Sequence, residues 1–174
     1  VRPAARGNPA ASKSQLKSES RPDAVAVVVL RGADPSTIGS AQAAEVLLLR
    51  RSSGAFAGAW TFVMGGVEDG ERATDAARRE LVEETGLSLV TLFTAGELDA
   101  FYDPVRDRIV HVPFFVAHVS DGAIVLEEDV HDEHRWVPIR EAEAMLEFAS
   151  HRRVLEEIHR AFVARFPAPW RTIR

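Results

Sequence analysis

The chain has 174 residues with 46% hydrophobic and 27% charged side chains, the balance of one globular domain with a little chain to spare rather than of a disordered protein. Cysteine is absent, which excludes disulfide frameworks, thiolate zinc sites and cysteine nucleophiles. Lys and Arg number 21 against 26 acids, a formal net charge of -5, so a global basic field for macromolecular nucleic acid is missing.

Residues 1–23 are rich in Pro, Ala, Ser, Lys and Arg and have almost nothing to bury, so they read as a flexible tail. They lack the apolar centre of a signal peptide, and no stretch of the chain approaches the ~20 apolar residues of a membrane span. A cytoplasmic protein without a membrane partner, monomeric or homodimeric, is the expectation. A domain is expected over residues 24–166, with 167–174 as a second tail. Within it, Ala24–Leu30 is a β-branched run typical of a buried strand. Arg31–Ser40 turns, Glu45–Arg50 is a second strand and Trp60–Val63 a short third one. Gly65 to Gly70 forms a glycine-rich acidic loop. Arg72 to Thr85, free of Gly and Pro, is a helix that Gly86 stops as a C-terminal cap. Strands then return at Leu87–Phe93, Glu97–Tyr102 and Ile109–Val119, where Pro113 indicates a bulge or an edge. Asp121-Gly122 suggests a hairpin turn into a strand at Ala123–Leu126. A short strand at His134–Val137 precedes a helix near Arg140–Leu146 and a last helix, Ser150–Phe166, with Val154, Ile158, Ala161 and Phe162 on one stripe. Strands, one internal helix, more strands and terminal helices make an α+β domain with a mixed sheet.

Helical spacing gathers the chemistry. Steps of three and four place Glu80, Glu83 and Glu84 on one face, a repulsion of roughly a few tenths of a kcal/mol per pair in a bare helix. A divalent cation would turn that cost into binding, and carboxylate oxygens suit Mg²⁺ or Mn²⁺. At ~100° per residue Ala73, Ala76 and Ala77 share that side, so the acids are expected to face a cleft; Asp75, Arg78 and Val82 lie opposite.

The segment from Gly65 to Leu87 resembles the signature of the Nudix hydrolase family, G-x5-E-x7-R-E-U-x-E-E-x-G-U with U aliphatic. Gly65, Glu71, Arg79, Glu80, Glu83, Glu84 and Gly86 fill its fixed places, and Leu81 and Leu87 the aliphatic ones. A chance match in one register is on the order of one in 10⁸. The resemblance implies an α/β/α sandwich and Mg²⁺- or Mn²⁺-assisted attack of water on a nucleoside diphosphate linkage. It implies Glu80 and Glu84 as metal ligands and Glu83 as a further ligand or the base. Arg79 would orient the glutamates, Glu71 would anchor the loop to the helix, and the Gly65 carbonyl would complete the metal shell.

The flanks bear on the substrate. Val63 and Met64 replace the commoner Pro-Gly before the box, and that variant, together with Ser150-His151-Arg152-Arg153, resembles the branch that hydrolyses nucleoside triphosphates and dihydroneopterin triphosphate. Candidate phosphate contacts are Arg50 and Arg51 on a strand and Arg152 and Arg153 on the last helix. That branch often places one more glutamate just before a His, six residues ahead of a Trp. His131 and Trp136 fit, but Val130 holds the glutamate's place, so Glu128, Asp129 and Glu133 are the candidates for an extra ligand or base. Phe101, Tyr102 and Trp136 are able to stack on a base, although strand aromatics belong more often to a core, and His111 and His118 read as structural. The leading expectation is hydrolysis of a small nucleoside or pterin triphosphate to monophosphate and pyrophosphate. The alternatives are a hydrolase of dinucleoside polyphosphates or other diphosphate-linked nucleosides, and a non-catalytic nucleotide sensor, although sensors tend to lose box glutamates and none is lost here.

Charge is unevenly spread. Residues 65–87 hold seven acids against three bases, and residues 127–133 five acids with no Lys or Arg. Residues 1–22 and 151–174 each carry a surplus of four bases.

Overall fold

The β-branched run becomes β1 (Ala24–Arg31), with six of its eight residues buried. The lack of alternation is what a strand covered on both faces shows in sequence. The computed structural model describes residues 20–32, 44–54, 56–127 and 129–174. Around β1 lie β2 (Glu45–Arg51), β3 (Trp60–Thr61), β4 (Val63–Gly66), β5 (Leu89–Asp103), β6 (Arg108–Val119), β7 (His131–Pro138) and β8 (Thr172–Ile173), all in one sheet. Its order is β3-β2-β1-β6-β5-β8, with β4 added to β1 and β7 to β2. The pair β1–β6 is parallel and every other pair antiparallel, so the sheet is mixed, as expected.

Helix α1 (Ala73–Thr85) covers one face, where Ala76, Ala77 and Leu81 pack on Val25, Val27, Val29, Leu47, Leu49 and Val63. The other face carries α2 (Ile139–Ala142) and α3 (Ala149–Ile158), whose Val154, Leu155 and Ile158 join Ala26, Val28, Phe62 and Phe114. Odd and even residues of β1 thus serve opposite cores, and the α/β/α sandwich follows.

The expected third strand is split in two. Thr61 pairs with Leu49 of β2, whereas Val63 pairs with Val27 of β1, so the chain changes partner at Phe62 and no single straight strand can serve both. The expected glycine loop correspondingly starts as strand, with Gly65 opposite Val25 and Gly66 opposite Ala24. The two strands expected after α1 fuse into β5 through an irregularity between Thr94 and Leu98, where Gly96 has φ 75°. Pro113 faces Leu98 where pairing resumes, inside the sheet, so it marks a bulge and not an edge.

The strand expected at Ala123–Leu126 does not form. The Val125 N–H donates to the carbonyl of Thr85, and Ile124 and Leu126 pack on the α1-side core, so helix and core claim the segment before a strand partner can. Conversely β7 is twice the expected length. It pairs with the whole of β2, and the acidic residues Asp132 and Glu133 are drawn into the ladder by Arg50. The last helix stops at Ile158 and gives way to a π-helical turn, His159–Val163, in which Ala161 and Phe162 stay buried as their stripe requires.

Both expected tails run further into the fold than their composition suggests. Residues 1–19 lie outside the described residues, but Asp23 accepts the His111 N–H and an Arg108 N–H, each at 2.9 Å. Residues 167–174 form a 3-10 turn and β8, which pairs with Leu92 and Phe93 of β5. Arg171 is 8% exposed; it donates to the Ala95 carbonyl and to Glu157 at 3.0 Å, with the rings of Phe162 and Trp170 against its guanidinium. A buried cation with a carboxylate partner is costly to lose on one side only. Arg171→Ala is therefore expected to lower stability by about 2 kcal/mol, read as a drop in the urea midpoint with an unchanged slope.

Candidate active site

The box folds as a strand, a turn and a helix. Gly70 takes φ 79° at the turn, the Glu71 N–H donates to the Glu68 carbonyl at 3.0 Å, and α1 starts after Arg72. Gly86 ends the helix with φ 68° and an N–H bond to the Val82 carbonyl at 2.8 Å, a left-handed cap. Between these ends the helix is pressed onto β4. A Cβ on Gly65 would stand 1.8 Å from the carboxyl carbon of Glu80, so any side chain there would push that carboxylate out of its place.

The glutamates do not share one environment. Ala76, Ala77, Glu80 and Glu84 are buried, Glu80 at 8% exposure and Glu84 at 2%, whereas the side chain of Glu83 is 51% exposed beside Val82. The face is narrower than helical spacing alone suggests: it holds two acids inside the cleft and one at its mouth.

Arg79 organises them, and all five of its N–H donors are used. Nε and Nη2 make a two-pronged contact with Glu71 at 3.0 and 2.9 Å. Nη1 reaches Glu80 at 2.6 Å and Glu83 at 2.9 Å, and Nη2 also donates to the Gly66 carbonyl at 2.8 Å. Its bonds to Glu71, Glu80 and Glu83 raise the guanidinium pKa, so it stays charged. Glu71, which also accepts the Glu68 N–H at 3.0 Å, is held below the usual carboxylate range by Arg79.

Burial acts the other way on the two inner acids. It raises Glu80 despite the pull of Arg79, and it pushes Glu84 up to about 8, only partly offset by the Met64 N–H at 3.2 Å. The charges of Glu80 and Glu127 press Glu84 further upward, while Arg51 draws it down.

Glu127 is an acid near the site that spacing did not single out. Its charge is felt by both Glu80 and Glu84, so it lies on their side of the fold. Counting back from Trp136 pointed three residues further on, and the irregular path from Gly122 to Glu127 is not encoded in that count. Of the candidates weighed from sequence, Glu128 lies outside the described residues. Asp129 contributes its carbonyl to the hydroxyls of Ser52 and Ser53 at 3.2 Å, and Glu133 is paired with Arg50 at 3.0 Å and Arg135 at 2.6 Å.

The arginines divide similarly. The charge of Arg51 is felt by Glu84 and His131, and its Nε is buried and without a partner among the described residues. Arg50 is engaged by Asp132 and Glu133. Arg152 donates to the carbonyls of Leu146 at 2.7 Å and Glu147 at 3.0 Å, and Arg153 is exposed; both belong to α3, across the sheet from α1. His118 packs edge-on to Phe93, Trp136 lies under Arg31, and Tyr102 bonds Asp107 at 2.8 Å.

The donor set is all oxygen: two buried carboxylates, a third at the mouth, and the Gly65 backbone against Glu80, with the charge of Glu127 on the same side. Among the described residues no three such side chains already surround one point, because Glu80 and Glu83 both lean on Arg79. Two buried like charges with raised proton affinity and hard-oxygen chemistry nevertheless fit a divalent cation.

The NUDIX domain family model matches residues 20–159. Over 88 residues the chain is 44% identical to the oxidized purine nucleoside triphosphate hydrolase of Mus musculus, covering 50% of this chain and 56% of that protein. Over 127 residues it is 31% identical to the bis(5'-nucleosyl)-tetraphosphatase (asymmetrical) of Mus musculus, covering 71% of this chain and 84% of that one. It superposes on the crystal structure of a MutT protein from Methanosarcina mazei Go1 with TM-score 0.62 and 26% identity, over 82% of this chain and 96% of that one. The chain spans only 40%, 31% and 33% of the length of three further curated relatives.

The sign of the Glu84 shift gives a test. Its proton is held more tightly in the folded protein than in the unfolded chain, so the metal-free fold loses stability as pH rises from the ordinary carboxylate range through about 8. A cation at Glu84 must displace that proton. Mg²⁺ titrations at pH 7 in two buffers of different ionisation enthalpy are expected to show proton release, and affinity is expected to rise up to about pH 8 and then level off. Heats identical in both buffers would contradict the assignment.

Proposed function

The chain belongs to the Nudix family, and from that premise we propose that it is a Mg²⁺-dependent pyrophosphohydrolase converting a nucleoside triphosphate to the monophosphate and pyrophosphate. The observation that carries the reading is the Arg79 hub. It is a five-donor cation that fixes Glu71, Glu80 and Glu83 around the Gly65 contact, with Glu84 buried behind.

In this reading Glu80, Glu84 and the Gly65 carbonyl hold the cation, with Glu127 as the added carboxylate from the acidic loop. When bound, Mg²⁺ neutralises the phosphate chain and acidifies water. Hydrolysis joins a water oxygen to phosphorus and breaks the bridging P–O bond, and the released proton needs an acceptor. Glu83 suits that task, since it sits next to the inner acids but opens to solvent, while Arg79 keeps its carboxylate aimed inward. Arg51, whose charge is felt by Glu84, is the arginine we assign to a phosphate oxygen; Arg50, Arg152 and Arg153 are engaged elsewhere or lie across the sheet.

The triphosphate reading draws on the mouse purine triphosphate hydrolase, 44% identical over the aligned part. A second reading, hydrolysis of a dinucleoside polyphosphate, draws on the mouse tetraphosphatase, whose alignment covers more of both chains at lower identity. Product analysis separates them, because pyrophosphate is released only in the first. Incubation with Mg²⁺ and a panel of nucleoside triphosphates and dinucleoside polyphosphates is expected to give turnover that Glu83→Gln reduces at least ~10²-fold with the fold retained. An unchanged rate in that variant would remove Glu83 from the mechanism, and no turnover of any panel member would sink the proposal.

A further inference from the structure

The strand that brings Met64 to the metal-side acids also faces the other core. The Met64 N–H bonds Glu84, while its side chain packs with Ala24 against the core beneath α3. Met64 thus borders both the inner acids and the α3-side core, and a nucleotide with its phosphates at Glu84 and its nucleoside end extended across β4 would meet the rim of that second face, where an unused group of side chains collects.

His151 is 2% exposed and its Nδ1 has no hydrogen-bond partner among the described residues. Its ring stacks on Phe62 at 4.9 Å, with Phe114 and Phe148 edge-on at 5.6 and 5.1 Å. A neutral imidazole with an idle buried nitrogen is an expensive way to fill an aromatic core, which phenylalanine would fill without an orphaned polar atom. Among the described residues, the acidic group whose charge is felt by it is Asp99, half-buried on β5. Asp99 and Phe101 lie two residues apart opposite Val112 and Val110, which belong to the α3-side core, so both project onto the face that α3 covers. Phe101 is 47% exposed there. Phe56, 52% exposed and edge-on to Phe148 at 5.0 Å, adds a second open ring near the start of α3.

An acceptor-only carboxylate beside half-open aromatic rings has a definite chemical complement. It is a flat heteroaromatic base presenting two adjacent N–H donors on one edge, as guanine does with its ring N–H and exocyclic amine. We infer that Asp99, with His151 behind it, is the specificity-determining group for the base, selecting guanine-type nucleotides. The inference rests on the proposed nucleotide chemistry but not on turnover. Cytosine and adenine offer a carboxylate only an exocyclic amine beside a ring acceptor, which would face the charge unfavourably.

Binding of nucleoside monophosphates to the full chain, followed by calorimetry, tests this apart from catalysis. Wild-type protein is expected to prefer guanosine monophosphate to cytidine monophosphate by about tenfold to a hundredfold, the discrimination of one good two-pronged contact. Inosine monophosphate, which lacks the exocyclic amine, is expected to fall between them. Asp99→Asn keeps the size and offers a donor as well as an acceptor, so the guanosine preference is expected to shrink at least tenfold with the thermal midpoint held. His151→Phe, which retains the stacking, is expected to erode the preference less. Equal affinity of the wild type for all three nucleotides would overturn the inference, as would an unchanged preference in Asp99→Asn or a loss shared equally by all three. A protein that hydrolyses triphosphates without base preference would overturn this inference alone. One that prefers guanosine through Asp99 but hydrolyses nothing would overturn the proposed function alone.

Discussion

Helix α1 lies so close to β4 that the carboxyl group of Glu80 occupies the space a Cβ on Gly65 would need. The packing of α1 on β4 sets how deep the inner acids lie. It buries Glu80 and brings Glu84 within reach of the Met64 N–H. Ala76 and Ala77 make the approach feasible along the rest of the helix, since each adds only a methyl group between helix and sheet. The close approach, more than the number of acids, turns an acidic helix into a site.

Burying acids costs free energy, and the structure meets that cost with one cation. Arg79 spends every donor on Glu71, Glu80, Glu83 and the Gly66 carbonyl, tying the loop, the helix and the end of β4 into one unit. Glu84 lies beyond its reach and keeps a raised proton affinity. The site therefore holds one buried acid fixed by an arginine, one that keeps its proton up to about pH 8, and one open to solvent. Three roles follow from three environments on one helix, although the side chains are identical.

The sequence makes the helix and its ends legible because those depend on local rules: no Gly or Pro inside, and a glycine able to take positive φ just after. It makes β1 and the mixed α+β order legible because β-branched runs need burial whatever their partners. The split at Phe62 is hidden, since a change of strand partner leaves no periodic trace. The docking of the C-terminal residues is hidden too, because Arg171 looks like a solvated charge until Glu157, Ala95 and two aromatic rings close around it. At the site, the box named its acids, but its spacing could not tell that Glu83 stands outside the buried pair. Nor could counting along the acidic loop single out Glu127, because residues 122–127 follow an irregular path set by α1 and the core. Arg50 and Arg51 are neighbours of equal promise in sequence; alternation along β2 gives one to Asp132 and Glu133 and leaves the charge of the other to be felt by Glu84.

In the proposed function the buried face of α1 holds the cation, while Arg79 keeps its structural contacts. A crystal structure of the protein with Mg²⁺ and a triphosphate bearing a non-hydrolysable bridge tests it most directly. The expected structure has a cation on oxygens of Glu80 and Glu84 and the Gly65 carbonyl, with Arg79 still gripping Glu71. A cation bound away from α1, or one that leaves Glu84 hydrogen-bonded only to Met64, would contradict it.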